Sequence, residues 1–295
     1  MSKDQLEQIL QLSAEAPPPE VPTPESIRLW FESINAQTPK AQDTIYSEIS
    51  SEPWSGEWNR PVGGCEDRLI IYYHGGGFLF GSSRSHRALT SHLAQLAATP
   101  VLSIDYRLAP EHPAPAAHDD CFRAYCWALD QGFAPSAIAL AGDSAGGNMA
   151  LSTAVRARET GVPVPGCVVM MSPALDLAGD GASHTRLANA PLLNKGLIDL
   201  FNKVYVGEGD LRSSQVTPFY SDMTGLPPVL IHVGSNEMLL DDSVTIAERI
   251  EQAGSSVELK VWQDMVHCWQ LYGPMLEESM QSIAEIAEFV KRHTE

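Results

Sequence analysis

The sequence predicts an α/β protein: a mostly parallel sheet covered by helices on both faces. Two observations carry this. Short apolar runs at 69–73, 101–106, 137–141, 167–171, 229–233 and 257–262 have the length of buried strands, and several end at glycine. Helical stretches lie between several of them, for example at 119–129 and 148–158. Strands that alternate with helices pair in parallel, because each crossover carries the chain back to the same edge, and both faces of such a sheet are then buried. Functional side chains in this architecture gather in the loops at the carboxyl ends of the strands.

The elements follow in order. Residues 1–45 read as helices with a proline-rich break. Leu6, Ile9 and Leu10 make a short apolar stripe that Pro17, Pro18, Pro19, Pro22 and Pro24 bring to an end. Thr23 then offers a capping hydroxyl ahead of Pro24, and Ile27, Trp30, Phe31 and Ile34 follow at helical spacing. That stripe fits a helix packed on the body or a cap over a site. The α/β body occupies 46–179 and 226–295. Between these parts, 180–225 interrupts the alternation with a helical stretch at 192–206 and a polar loop, and it reads as an insertion. A last helix at 275–292 aligns Leu276, Met280, Ile283, Ala287 and Val290.

Composition narrows the function classes. A chain of 295 residues with 44% apolar residues supports one large core. The formal net charge of -18 repels phosphate, so nucleic acid and anionic membranes are not expected as partners. No apolar stretch reaches the ~18 residues of a membrane span. Residues 1–16 carry charge throughout, unlike a secretory leader. Five cysteines, Cys65, Cys121, Cys126, Cys167 and Cys268, are odd in number and irregular in spacing. They fit free thiols in a reducing compartment, so a cytoplasmic location is expected.

The strongest motif is Gly142-Asp143-Ser144-Ala145-Gly146-Gly147, which matches G-x-S-x-G once, with a predicted strand before it and a helix after it. That context makes a sharp turn that exposes a serine hydroxyl at a helix N-terminus, where the helix dipole favours developing negative charge. A glycine-rich phosphate turn is the competing reading, but no lysine follows in the required position and no G-x-G-x-x-G occurs. A cysteine nucleophile is a remoter alternative. His74-Gly75-Gly76-Gly77-Phe78 closes the first apolar run. Glycines let backbone N–H groups approach an oxyanion closely, and the expected donors are Gly75, Gly76 and Ala145. His74 reads as structural.

With Ser144 as nucleophile, the order serine, acid, histidine leaves His184, His232, His267 and His293 as bases. His232 lies inside a predicted strand, His184 in the insertion and His293 at the terminus. His267, just past the last strand, is the expected base. The acid belongs in 234–242, where Glu237 is nearest the strand end and Asp241 and Asp242 are alternatives. No metal or cofactor is required for such a triad.

Together, 74–78, Tyr106-Arg107-Leu108-Ala109-Pro110-Glu111-His112, 142–147 and 264–269 resemble the hormone-sensitive-lipase family of bacterial esterases. The resemblance runs from about residue 66 to 273. It implies an α/β-hydrolase fold with eight mostly parallel strands, and a helical cap drawn from 1–45 and 180–225. It also implies carboxylesterase chemistry on small-molecule esters of short acyl chains, with Ser144, Glu237 and His267 as triad and Trp30, Phe31 and Phe78 at the substrate. Many relatives carry Asp-Pro-Leu where this chain has Glu237-Met238-Leu239. Relatives include lactone and amide hydrolases, and plant gibberellin receptors that lost the catalytic histidine. A homodimer through the edge strand at 257–262 is a further expectation of the resemblance.

Overall fold

The computed structural model describes residues 2–295. In chain order its strands are β1 (Thr44–Ser51), β2 (Trp54–Pro61), β3 (Leu69–Tyr73), β4 (Val101–Asp105), β5 (Ile138–Asp143), β6 (Cys167–Met171), β7 (Val229–Gly234) and β8 (Val257–Trp262). Its α-helices are α1 (Lys3–Glu15), α2 (Pro24–Asn35), α3 (Arg87–Ala97), α4 (Ala116–Asp130), α5 (Ala145–Thr160), α6 (Ser183–Arg186), α7 (Lys195–Tyr205), α8 (Leu240–Gln252) and α9 (Glu277–Thr294). The eight strands form one sheet in the order β1-β2-β4-β3-β5-β6-β7-β8. β1 pairs antiparallel with β2 and β2 antiparallel with β4, while every other pairing is parallel.

Burial explains why β3, β4, β5, β6 and β7 read as apolar runs, whereas the edge strand β8 alternates between half-buried and exposed residues. Leu69, Ile71 and Tyr73 of β3 enter a core on one face, with Tyr125 of α4 and Met149 of α5. Ile70 and Tyr72 enter a second core on the other face, with Leu89 of α3 and Phe289 of α9. A strand covered on both faces has no polar face to show. β1 and β2 did not announce themselves in the same way. They form an antiparallel margin in which β1 alternates between half-buried and exposed residues and carries few apolar side chains.

At the N-terminus, Thr23 accepts from the Ser26 N–H while the Ser26 hydroxyl reciprocates, so the expected cap closes the start of α2. α2 then lies across the loops after β3 and β4. Arg28 donates to the carbonyls of Leu79 and Ala109 at 2.9 Å each and pairs with Glu111. Phe31 packs on Phe80, with ring centroids 4.9 Å apart. Phe80 in turn meets Phe201 of α7 at 5.6 Å. α1 packs elsewhere: its Ile9 joins Trp262, Met265 and Trp269, the residues flanking the loop after β8. No described helix is long and apolar enough to cross a membrane.

Candidate active site

The sheet order sets the site. β3 and β5 are neighbours, with Tyr73 opposite Gly142, so the glycine loop after β3 and the serine turn after β5 leave the sheet side by side. β7 and β8 are likewise adjacent, and their carboxyl ends deliver Glu237 and His267. Ser144 holds φ +52, ψ −119, a conformation that L-residues rarely adopt, between the end of β5 and the first turn of α5. The turn tolerates this only because its neighbours are small. A Cβ on Gly146 would lie 1.8 Å from the Tyr73 carbonyl oxygen.

Three side chains from three separate loops then form one relay, its ends Ser144 and His267 lying 123 residues apart in the chain. The Ser144 hydroxyl donates to His267 Nε2 at 3.0 Å. His267 Nδ1–H donates to Glu237 Oε2 at 2.8 Å. Glu237 is fully buried, and its other oxygen accepts from the Gly234 N–H at 2.5 Å and from the Ser172 hydroxyl at 2.8 Å. The extra methylene of glutamate is accommodated by this double anchor. The alternative acids are committed elsewhere. Asp241 accepts from the Ser183 N–H, and Asp242 holds His184 at 2.7 Å. His232 is buried within β7 and bonded to Ser282.

The glycine loop corrects one expectation. The Gly75 N–H is directed backwards into the protein, donating to Asp143 Oδ1 at 2.9 Å and facing His86 Nε2 at 3.3 Å, so it is not available to an oxyanion. Gly77, which sequence reasoning passed over, has an amide without such a partner. The amides of Gly76, Gly77 and Ala145 find no acceptor among the described residues, that of Ala145 because it opens α5. Gly76 stands at φ +117, and a Cβ there would meet the Phe80 carbonyl oxygen at 2.1 Å.

Asp143 is the anchor behind this loop. Its carboxylate also accepts from the Tyr72 hydroxyl at 2.7 Å. Burial pushes its pKa up, but the neighbouring His86 and the bonds from His86 and Tyr72 outweigh burial and hold it at about 2. His74 stacks on Tyr106 at 4.2 Å, and burial, with His86 adding to it, lowers it to about 4, in keeping with a structural imidazole.

A cavity of ≈ 30 Å³ opens beside Ser144. Gly77, Phe78, Leu193, Ile198, Phe201 and Leu239 supply its apolar wall, and Asp176, His184 and Asp242 also border it. Of the three aromatic residues expected at the substrate, only Phe78 lines it. Phe31 stands behind Phe80, and Trp30 turns its indole N–H to the Ala16 carbonyl at 3.0 Å. Both serve the docking of α2. Among the described residues, no group of three or more His, Cys, Asp or Glu lies together as metal ligands would.

Comparison with known proteins agrees with this architecture. Residues 70–271 match the family model of the alpha/beta hydrolase fold. An acetyl-hydrolase of Streptomyces hygroscopicus is 39% identical over 81% of this chain and 80% of its own length. An esterase of Acinetobacter venetianus is 39% identical over 75% of this chain and 74% of its own length. The crystal structure of an esterase from the bacterial hormone-sensitive lipase family superposes with a TM-score of 0.95 at 36% identity, covering 99% of both chains. A hormone-sensitive lipase from a metagenome library superposes with a TM-score of 0.94 at 36% identity, over 100% of this chain and 99% of the other. The chain belongs to the α/β-hydrolase fold family, and within it to the bacterial hormone-sensitive-lipase esterases.

Proposed function

We propose that the protein is a serine carboxylesterase that hydrolyses short-chain acyl esters through an acyl-enzyme on Ser144. The hydrogen-bond relay from Ser144 through His267 to Glu237 carries the proposal. Ser144 Oγ attacks the ester carbonyl as His267 Nε2 takes its proton. The amides of Gly76, Gly77 and Ala145 receive the oxyanion, each donor contributing about 3–4 kcal/mol. The alcohol leaves with the proton from His267. Water, activated by the same imidazole, then releases the acid. Glu237 holds the tautomer that leaves Nε2 free and stabilises the imidazolium.

Chain-length preference follows from the cavity. Its ≈ 30 Å³ corresponds to about two water-sized spheres, room for an acetyl or slightly longer acyl group. On this reading α2 and α7 form the cap over the acyl end, with the ring of Phe201 as the wall that limits length. A p-nitrophenyl ester series tests this. We expect kcat/KM to peak at acetate to butyrate and to fall at least ~10-fold by decanoate, since acyl carbons past the Phe201 wall clash with it instead of gaining the ~0.8 kcal/mol each that burial gives. Phe201→Ala shifts the optimum toward longer chains. A profile rising to palmitate in the unaltered enzyme contradicts the reading.

All five cysteines are free, which supports a reducing, cytoplasmic setting. β8 ends the sheet with one side unpaired and Val261 43% exposed, which supports a homodimer through this edge. Light scattering is expected to give twice the 32.1 kDa chain mass, and Val261→Glu to halve it. A monomer at micromolar concentration in the unaltered protein overturns that expectation.

A further inference from the structure

We infer that Ser172 is a positioning residue for the triad: its hydroxyl clamps the acid and the base loop to each other and so sets the geometry at Ser144. The inference rests on the esterase reading above. Ser172 is the first residue after β6 and is fully buried. Its hydroxyl donates to Glu237 Oε1 at 2.8 Å and accepts from the Cys268 N–H at 3.2 Å. Cys268 is the residue after His267, so this chain of two bonds joins the acid to the loop that carries the base.

The backbone on either side of Ser172 completes the junction. The Ser172 N–H donates to the His232 carbonyl on β7 at 2.7 Å. The Met171 carbonyl accepts from the Ser144 N–H at 2.9 Å, and the Ala174 N–H donates to the Ser144 carbonyl at 3.1 Å. One short segment therefore touches all three triad loops. Ser172 itself sits at φ +46, the left-handed region, where a serine is strained and glycine is at ease. A strained residue held in place by three partners is a sign that the side chain is needed where the backbone puts it. Glutamate makes that need plain. Its carboxylate has one more rotatable bond than aspartate, and fixing Oε1 from both Gly234 and Ser172 leaves Oε2 aimed at His267.

The φ value supplies a test that separates geometry from stability. Ser172→Gly and Ser172→Ala both remove the hydroxyl, but glycine relieves the backbone strain and alanine retains it. We expect both variants to lose kcat by roughly 10- to 100-fold, the range for a hydrogen bond to a buried charge, with KM within about twofold. We expect Ser172→Gly to melt higher than Ser172→Ala. The far-downfield proton resonance of the His267–Glu237 bond should weaken or move in both. Activity that follows the melting temperature, with Ser172→Gly as active as the parent, overturns the inference, as does a loss confined to KM. Glu237→Gln and Ser144→Ala are measured alongside. If those two retain full turnover, the esterase reading fails as a whole; if they lose it while both Ser172 variants keep it, only the role of Ser172 fails.

Discussion

Replacing Ser144 with alanine is expected to lower ester turnover by about 10⁴- to 10⁶-fold while leaving the fold and melting temperature unchanged. The size of the loss follows from what is removed. The oxyanion donors and the cavity remain, so substrate still binds and its carbonyl is still polarised. What disappears is the one hydroxyl among the described residues that bonds His267 Nε2, at 3.0 Å. The fold survives because alanine keeps the Cβ, so the strain at φ +52 is unchanged, and because the side-chain hydrogen bond that is lost is a part-buried one. One other nucleophile stands near. Cys268 Sγ lies 3.4 Å from the same nitrogen. Burial pushes its thiol well above the usual range, with Asp143 and Glu237 adding to the effect, so thiolate is scarce and no rescue is expected. Steady-state rates on p-nitrophenyl acetate, with circular dichroism as control, check this. Residual turnover that vanishes only in the Ser144→Ala, Cys268→Ser double variant would move the chemistry to the thiol.

How much of this was legible in the sequence depends on how local each feature is. The serine turn and the glycine loop are local, since small residues at fixed spacing express steric demands within a few residues. Glu237 and His267 were legible because topology limits candidates: chain order leaves four histidines and three acids, and these two lie just past the ends of strands. The Gly75 donor was misjudged because its amide is consumed by Asp143, 68 residues away. Nothing in the glycine run distinguishes an amide facing the site from one facing the core. Trp30 and Phe31 presented an apolar stripe, and such a stripe shows that a helix is covered, not what covers it. β1 escaped because a half-exposed sheet margin has too little apolar contrast to register, and β2 because the residues it buries include the polar Glu57 and Asn59. Ser172 was invisible for the plainest reason. A lone serine before a proline carries no pattern, and its importance lies in partners brought to it by β7 and β8.

Acidification is expected to unfold the protein between about pH 6 and 4, and three buried imidazoles set that window. Burial lowers His74 to about 4, with His86 adding to it, and lowers His118 to about 4. Burial likewise lowers His232 to about 3, with Lys260 adding to it. Each titrates near 6.5 once unfolded. Below that value the unfolded chain binds protons that the native fold refuses, so stability falls as pH drops. One unit on one imidazole is worth about 1.4 kcal/mol. Three imidazoles over two units amount to ~8 kcal/mol, comparable to the whole stability of a typical domain at ~5–15 kcal/mol. Asp143 does not widen the window. Its depressed pKa of about 2 contributes stability that is present above its ordinary 3.8 and is lost only below it. His184 has the opposite sign. Burial lowers it, but the bond to Asp242 outweighs burial and raises it, so its contribution is complete below 6.5 and fades as pH rises. Near-ultraviolet circular dichroism against pH measures the transition. His232→Gln should move the midpoint to lower pH if the variant folds at neutrality, because one refused proton is gone. His118→Gln, losing its bonds to Tyr205 and Asn148 at 2.7 and 3.0 Å, supplies the second case. A native signal persisting to pH 3 in the unaltered protein would mean that these imidazoles accept protons within the fold.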